Sequence, residues 1–431
     1  YGDDVRYCAG EKQWYICQSD MSWKADEELL VEKLAYDSVY NSYAHELQFY
    51  RAIDRFGQMK DTVAKLERGM RSIGNLSTLK SCIGMAQKDV PITADRFDQY
   101  DNLFHMPNVI FDADTLSCVE NRKEYYITRT AEAHYDCEAE CPRWEQFVME
   151  CVEGDIALYR YLQKAAGYSI LSGDISEQVV FCLLGGGKNG KSLFINTLAR
   201  IAGDYAAKIE SSILCTNRFG DKDSETSKEL YRIKGSRFVY SNEFSRSSTL
   251  NQNFVKAITD GGKISCRPLY GSAIEYTPTY KLWFSTNHMP NLNAMDEGIR
   301  RRVVVIPFRN RLTEEQVDRH LAKKFEEELP GILSWLIQGY IYYQKEGLHV
   351  PPVVQEATSG YFTEQDVFKV FVDESYIINP DGKLYAKNVY QDYRSWCEHN
   401  GEKPVSNIAL SRELQRLGIA RAKDRNGIVY G

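Results

Sequence analysis

The chain has 431 residues, a net charge of −7 and an apolar content of 43%. These values predict a soluble globular protein of two or three domains. They exclude a small basic nucleic-acid-binding domain as the whole chain, but not nucleic acid as a partner, because a large motor needs positive charge only along one channel.

The eleven cysteines have irregular spacings, which predicts reduced thiols in an intracellular protein rather than a disulfide framework. No apolar run has the length of a membrane span and no signal peptide is visible, so we expect a cytoplasmic protein without a membrane partner. The first residue is Tyr1 and not methionine, so we interpret the chain as a fragment of a longer protein.

Residues 1–150 are predicted to form a mostly helical domain after a short β-rich start. The start is "RYCAGEKQWYIC", and apolar residues then recur at helical spacing from residue 25 onward. His134, Cys137 and Cys141 form a metal-like cluster, but zinc needs four ligands and only the distant Cys151 is available as the fourth. Loop and core cysteines are therefore the favoured interpretation, and a structural role is favoured for this domain.

Residues 151–345 are predicted to form an α/β domain with a central parallel sheet. Short continuous apolar runs are typical of parallel strands that are buried on both faces. Four such runs alternate with helical patterns, which favours a doubly wound fold. The runs are "QVVFCLL", "RFVYS", "YKLWFST" and "RVVVIPF".

Residues 346–431 are predicted to be a linker, "HVPP", and a winged-helix domain. The predicted order is a helix that ends at Gly401, a helix from Ser406 or Asn407 to Gly418, and a hairpin around Asn426. Residues 381–431 hold nine Lys and Arg against six Asp and Glu. This local positive charge fits a nucleic-acid contact, with protein docking or a purely structural role as the alternatives.

A phosphate-binding loop is predicted within "FCLLGGGKNGKSLF", which matches G-x-x-x-x-G-K-[ST] between a buried strand and a helix. Backbone N–H groups and the positive helix end should hold the phosphates of a nucleotide. Lys191 should reach the β- and γ-phosphates, and the Ser192 hydroxyl should bind Mg²⁺. The predicted nucleotide-binding residues, which the resemblance described below assigns to ATP, are Gly185, Gly186, Gly187, Lys188, Asn189, Gly190, Lys191, Ser192 and Leu193.

The polar residues that follow the next two strands are the predicted catalytic groups. A nucleotide hydrolase needs an acid that polarises water, and Glu243 follows "RFVYS". Because the preceding residue is Asn242 and not a second acid, Glu243 is expected to contribute to Mg²⁺ binding as well. Asn287 follows "YKLWFST" and is placed to orient the attacking water and sense the γ-phosphate.

Three arginines in "DEGIRRRVVVIPF" precede the last strand. An arginine supplied across a subunit interface can stabilise the charge of the transition state. Arg301 and Arg302 are the candidates for this role, with a solvated basic turn as the alternative.

A hairpin is predicted between Glu243 and Asn287, with its turn near residues 270–272. Lys263, Arg267 and Tyr270 are its candidate DNA-binding residues, since cations contact phosphate and an aromatic ring contacts a sugar or base. A plain structural hairpin is the alternative.

With these residues in place, the chain resembles the superfamily 3 helicases of the AAA+ class, in particular the helicase part of phage, plasmid and poxvirus-type primase-helicases. The likeness covers nearly the whole chain and is weakest over residues 25–90 and after residue 310. The matching stretches are "GDDVRYCAGEKQWYIC", "YDCEAECPRWEQFV", "GGGKNGKSLFINTLARIAGDYA", "RFVYSNEF", "YTPTYKLWFSTNHMPN" and "DEGIRRRVVVIPF".

The resemblance implies a hexameric ring that hydrolyses ATP between subunits and moves 3′ to 5′ on single-stranded DNA to unwind forked duplexes. It also implies that residues 1–150 are a collar domain and that a primase-polymerase domain lies upstream. The phosphate-loop roles pass to Lys191 and Ser192, and the hairpin role to residues 263–276. The chain departs from its relatives at Arg300, where they often have an aromatic residue, and at Asn242.

Other functions remain as alternatives. A small-molecule kinase with a phosphate-binding loop would need neither an arginine from a neighbour nor a basic C-terminal domain. A GTPase is disfavoured because no N-K-x-D guanine-reading motif occurs. A replication initiator that binds DNA under nucleotide control carries the same hydrolysis motifs, so only an unwinding assay discriminates it from a helicase.

Overall fold

The computed structural model of the protein describes residues 2–54, 57–216, 223–242, 244, 248–267, 273–292, 297–311, 318–379, 382–402, 404–424 and 427–430. The predicted residues Glu243, Tyr270 and Asn426, and the rest of the predicted hairpin turn at 271–272, lie outside these ranges. Within them, every helix is too short or too polar to cross a membrane.

The N-terminal region combines two small sheets with three helices. The first sheet has the order β3-β2-β1-β4 and the second has the order β5-β6-β7. The Asp26 carboxylate starts α1 by accepting hydrogen bonds from the backbone N–H groups of Leu30 and Val31 at 2.8 and 2.9 Å. The elements are β1 Val5–Cys8, β2 Gln13–Cys17, β3 Trp23–Ala25, α1 Leu30–Ile53, α2 Lys60–Ile73, α3 Leu76–Ala86, β4 Pro91–Ile92, β5 Leu103–His105, β6 Ile110–Asp112 and β7 Ser117–Val119.

The expectation of a mostly helical N-terminal domain agrees with the structure over residues 30–86 and from Pro142 onward, but not over residues 91–119. Residues 91–119 form short strands because turn-forming residues interrupt the chain every few positions. At one such turn the Met106 N–H donates to the Val109 carbonyl at 3.0 Å across Pro107 and Asn108. The interruptions leave no segment long enough for a stable helix.

A five-stranded parallel sheet forms the centre of the molecule, in the order β14-β8-β13-β10-β9. The predicted mixed α/β class with a parallel sheet is confirmed, and each of the four apolar runs forms one of its strands. The elements here are α4 Pro142–Cys151, α5 Ile156–Leu171, β8 Val180–Leu184, α6 Lys191–Ala202, β9 Ala206–Lys208, α7 Asp223–Arg232, β10 Phe238–Asn242, α8 Gln252–Thr259, β11 Ile264–Cys266, β12 Ile274–Tyr276, β13 Lys281–Thr286, α9 Glu297–Arg302, β14 Val303–Pro307, α10 Leu321–Glu327, α11 Leu329–Glu346 and α12 Pro352–Glu364.

Helices cover both faces of this sheet, which explains why its strands are continuously apolar. Phe181 and Leu183 belong to a core cluster with α4, α5, α6 and α11, whereas Val180 and Cys182 belong to a cluster with α8, α9 and α12. The Thr358 hydroxyl of α12 accepts a hydrogen bond from the Val305 N–H at 2.9 Å. Packing against the central sheet therefore continues past the predicted boundary at residue 345.

Two buried cations connect the amino ends of β10 and β13 to the end of α5 and to β5. Arg237 donates to the carbonyl oxygens of Leu171 at 2.7 Å and Leu103 at 2.6 Å, and the Lys281 ammonium donates to the Ser172 carbonyl. The Leu171 and Ser172 carbonyls lie at the end of α5, where a helix leaves its last acceptors unpaired. Burial lowers the pKa of Lys281 well below its usual value.

The C-terminal region has the predicted order of helix, helix and hairpin. Gly401 ends α14 with a φ of 72°, and the Ser406 side chain caps α15 by accepting from the Ala409 N–H. The assignment of this unit as a winged helix remains a prediction. Its elements are α13 Val367–Ser375, β15 Leu384–Tyr385, α14 Ala386–Asn400, α15 Asn407–Arg416, β16 Arg421–Asp424 and β17 Gly427–Tyr430.

Candidate functional site

The glycine-rich loop lies at the carboxyl edge of the parallel sheet, between β8 and α6. Leu184, the last residue of β8, pairs with Thr286 of β13 on one side and with Pro307 of β14 on the other. Three strand ends therefore meet beside the loop, which is the edge of an α/β sheet where ligands bind. Gly190 precedes α6 with a φ of 86°, a left-handed conformation that favours glycine.

The four loop glycines divide into two pairs. A Cβ on Gly185 would lie 2.1 Å from both Asn189 Nδ2 and the Phe308 oxygen, and a Cβ on Gly190 would lie 2.6 Å from Cys151 Sγ. These two glycines are therefore required by packing. Gly186 and Gly187 are exposed and would bring a Cβ within 4 Å of nothing, so they leave the outer side of the loop open to phosphate groups.

The Lys191 ammonium lies at the centre of the loop and is 5% exposed. It donates hydrogen bonds to the carbonyl oxygens of Gly185 at 2.8 Å and Gly186 at 2.9 Å. It also donates to Asn189 Oδ1 at 2.7 Å and to Asn287 Oδ1 at 3.1 Å. The buried charge is thus surrounded by oxygen acceptors, as a buried ammonium requires.

Ser192 and Leu193 form the first turn of α6 with Lys191. The Ser192 side chain is exposed and Leu193 is half-buried. A hydroxyl at the amino end of a helix lies where the helix dipole attracts an anion and its bound metal ion. The two positions are therefore compatible with the predicted phosphate and Mg²⁺ contacts.

The contact between Lys191 and Asn287 brings together two predicted site residues that are far apart in the sequence. Asn287 directly follows β13, and the next turn is held by Thr286, whose hydroxyl donates to the His288 carbonyl at 2.6 Å and accepts from the His288 N–H at 3.2 Å. The carboxyl end of β13 is therefore fixed beside the loop.

The end of β10 supplies further oxygen atoms near this edge. Asn242 pairs with Ser285, one residue before Thr286, and Glu243 is the next residue in the chain. Ser241 Oγ and Asn242 Oδ1 are both buried, and neither has a hydrogen-bond partner among the described residues. An unpaired buried polar atom costs about 1–3 kcal/mol, and an amide oxygen is a ligand that Mg²⁺ accepts. The residues here therefore fit a Mg²⁺ site.

The arginine cluster lies at the amino ends of the strands, opposite to the carboxyl ends where the loop lies. Val303, which follows Arg302, pairs with Val180 at the start of β8, and the four residue steps from Val303 to Pro307 span about 13 Å at the rise of a β-strand. These arginines therefore lie away from the loop of their own chain.

The structure distinguishes the two candidate arginines. Arg302 is 8% exposed and pairs with Asp260 at 2.6 Å, with a further hydrogen bond to the Gly298 carbonyl at 3.1 Å. Arg301 is exposed. Arg302 is therefore engaged inside its own chain, whereas the Arg301 side chain is exposed to solvent.

The predicted hairpin strands are confirmed as β11 and β12, which pair antiparallel from Ile264 with Tyr276 to Cys266 with Ile274. The hairpin is anchored on α7: the Arg267 N–H donates to Ser227 Oγ at 2.7 Å, and the Tyr276 hydroxyl donates to the Leu230 carbonyl at 2.7 Å. Lys263 and Arg267 are exposed at the two ends of β11, and both are available to a ligand in solution.

In the described part of the chain, no three His, Cys, Asp or Glu side chains lie close enough together to hold a metal ion. All eleven thiols are unpaired. Burial raises the pKa of Cys151 to about 12, so this thiol stays neutral and acts as a packing surface beneath Gly190. The interpretation of Cys141 and Cys151 as buried core residues agrees with the structure.

One feature of the site has no signal in the sequence. The motif places Asn189 among the ATP-binding residues, but its side chain is 4% exposed and donates from Nδ2 to the Phe308 carbonyl at 2.9 Å. A backbone carbonyl is the same in every residue type, so sequence reasoning could not identify this partner.

Two family models match the chain. Residues 1–153 match a family described as D5 N terminal like, and residues 183–302 match a family of unknown function, DUF5906. The second match covers the phosphate-binding loop, the hairpin and the arginine cluster.

Viral proteins are among the relatives of the chain. The candidate helicase L207/L206 of Acanthamoeba polyphaga mimivirus is 24% identical over 91% of this chain and 44% of its own length. The candidate helicase 022R of Frog virus 3 is 26% identical over 56% of this chain and 26% of its own length. The candidate primase C962R of African swine fever virus is 23% identical over 56% of this chain and 27% of its own length. The chain thus spans less than half the length of these relatives.

A solved structure of the C-terminal region of NrS-1, determined in the apo form, is similar to this chain with a TM-score of 0.51. The identity is 11%, and the alignment covers 99% of this chain and 94% of that one. The similarity shows a shared fold over nearly the whole chain.

Proposed function

We propose that this chain is an ATP-dependent DNA helicase, which unwinds forked duplexes by moving 3′ to 5′ on single-stranded DNA. The chain belongs to the D5-like primase-helicases of the superfamily 3 type. The observation that carries the proposal is the contact of Lys191 with Asn287 at the carboxyl edge of a parallel sheet. The contact supports the proposal because the lysine of the loop motif lies beside the residue that we propose to sense the γ-phosphate.

In the proposed mechanism, the backbone N–H groups of Gly186 and Gly187 and the ammonium of Lys191 bind the phosphates of ATP. Lys191 exchanges its loop carbonyl acceptors for phosphate oxygens. Ser192, Asn242 and Glu243 would hold Mg²⁺ through their side-chain oxygen atoms, and the ion would neutralise charge on the phosphates. Glu243 then accepts a proton from the attacking water, and Asn287 orients that water.

The position of the arginines supports a ring assembly. An arginine can stabilise the transition state only if it reaches the γ-phosphate, but Arg301 lies at the sheet edge opposite to its own loop. A second copy that presents its Arg301 to this loop would supply the missing charge through a heterologous interface. Such an interface generates a ring when its rotation closes on repetition. We propose a hexamer, with Arg301 and not Arg302 as the arginine that completes the site.

The hairpin is the proposed contact to single-stranded DNA, with Lys263, Arg267 and Tyr270 as the contacting residues. An upstream primase-polymerase domain and a location in the host cytoplasm are part of the same proposal, because viral relatives carry helicase or primase names. The parallel sheet and the glycine-rich loop support the proposed AAA+ assignment of the central domain. The α14–α15 pair and the hairpin that follows it support the proposed winged helix.

Unwinding of a 3′-tailed forked duplex by the purified chain tests the proposal. We expect unwinding that requires ATP and is lost in Lys191→Ala, because this variant lacks the charge that holds the phosphates. Lys345→Ala, an exposed lysine of α11, is the control and should unwind normally. ATP-dependent duplex binding without unwinding would instead favour a replication initiator.

For the hairpin, we expect Arg267→Ala to weaken binding of single-stranded DNA and to reduce its salt dependence. Each phosphate contact that is lost lowers the slope of log affinity against log salt by about 0.7. Fluorescence anisotropy at several salt concentrations measures this slope, with Lys345→Ala as the matched control. A slope equal to that of the wild type would show that the hairpin is structural at this position.

A further inference from the structure

The side-chain amide of Asn189 faces the inside of the loop and both of its polar atoms are used. Its Oδ1 accepts from Lys191 Nζ at 2.7 Å and its Nδ2 donates to the Phe308 carbonyl at 2.9 Å. An ammonium can only donate and a carbonyl can only accept, so the orientation of the amide is determined by its two partners. The position needs one donor and one acceptor on a short side chain.

The amide also packs closely against the backbone of Gly185, where no side chain would fit. A Cβ on Gly185 would meet Asn189 Nδ2 and the Phe308 oxygen at 2.1 Å each. The Phe308 peptide is held from its other side as well, because its N–H donates to the Leu184 carbonyl at 2.7 Å. Asn189 therefore lies between two fixed groups, the end of β14 and the ammonium of Lys191.

We propose that Asn189 is a positioning residue that holds the Lys191 ammonium in place for phosphate binding by connecting the loop to β14; this inference rests on the proposed function. When phosphate oxygens replace the Gly185 and Gly186 carbonyls as acceptors, the Asn189 contact lies on the inner side of the loop and is retained. The ammonium is thus oriented before the nucleotide arrives, which is how preorganised charge contributes most.

The hydrogen bond from Asn189 to Phe308 also connects the loop, through β14, to the helix that carries Arg301. β14 is buried along all five of its residues. It follows α9, which carries Arg301, and leads to Phe308, which binds Asn189. The loop of one site and the arginine offered to the next site are therefore attached to the two ends of one strand.

A double-mutant cycle on nucleotide affinity tests the proposal. ATP binding is measured for the wild type, Asn189→Ala, Lys191→Ala and the double variant. If Asn189 acts through Lys191, its removal should weaken ATP binding about tenfold in the wild-type background and less than twofold when Lys191 is absent, because coupled residues are non-additive. An equal loss in both backgrounds would overturn the inference.

Two further variants sharpen this test. Lys345→Ala, an exposed lysine of α11 outside the loop, is the control and is expected to leave ATP affinity unchanged in both backgrounds. Asn189→Asp keeps the acceptor for Lys191 but cannot donate to the Phe308 carbonyl, and should bind ATP more weakly than the wild type while its melting temperature shows that it is folded. Asn189→Asp with wild-type affinity would contradict the role of β14, whereas a wild-type chain that binds no ATP would contradict the proposed function itself.

Discussion

Glu243→Gln is expected to abolish ATP turnover while ATP binding stays within about twofold of the wild type. Glutamine has nearly the same shape as glutamate but cannot accept a proton from the attacking water, and loss of a general base costs about 10²- to 10⁴-fold in rate. Steady-state phosphate release measures turnover, and binding of a fluorescent ATP analogue measures affinity.

Asn242 makes this variant informative about the metal ion. Because Asn242 Oδ1 and the Ser192 hydroxyl remain as oxygen ligands for the metal ion, Glu243→Gln should still bind ATP with Mg²⁺. Glu364→Gln changes an exposed glutamate at the end of α12 and serves as the control, with normal turnover. A turnover rate of Glu243→Gln within tenfold of the wild type would contradict its assignment as the base.

Arg301→Ala is expected to lower ATP turnover at least about 10³-fold, the effect of losing an arginine that stabilises the transition state. The inactive Arg301→Ala and Lys191→Ala proteins should regain activity when they are mixed. A site with an intact loop from one protein and an intact arginine from the other is complete, and random mixing at equal amounts makes about a quarter of the interfaces complete in a heterologous ring. ATPase activity against mixing ratio measures this recovery.

The other two arginines are the controls for this experiment. Arg302→Ala removes a buried guanidinium that pairs with the exposed Asp260 carboxylate and donates to the Gly298 carbonyl, and it is expected to lower the melting temperature because both contacts lie within one chain. Arg300→Ala removes an exposed side chain 3.9 Å from Glu297 and should have a smaller effect on turnover than Arg301→Ala. Absence of recovery at every mixing ratio would show that Arg301 does not act between subunits.

The central domain could be predicted closely because its signals are local. Parallel strands that are covered on both faces appear as continuous apolar runs, and "QVVFCLL" forms β8 for this reason. The loop motif is local too, since Gly190 and Lys191 act at the junction of that strand with the next helix. The end of α6 at Gly203 is also encoded locally, because a glycine after the last helical residue commonly ends a helix.

The N-terminal region was predicted less well, because its short strands are stabilised by partners distant in the sequence. The β1 strand pairs with β4, which lies beyond three helices. The helix α5 was not predicted from its own pattern: it is buried nearly all around, so it lacks the amphipathic periodicity that identifies a surface helix. Packing of α12 on β14 likewise depends on residues that are far apart in the chain.

The sequence by itself determined the glycine-rich loop, the parallel strands and the order of the candidate catalytic residues, because each depends on neighbouring residue types and their spacing. Only the tertiary structure decided that Arg301 is exposed while Arg302 pairs internally, and that Asn189 faces the end of β14. Both outcomes depend on the Asp260 carboxylate and the Phe308 carbonyl, which folding brings to positions that no local pattern encodes.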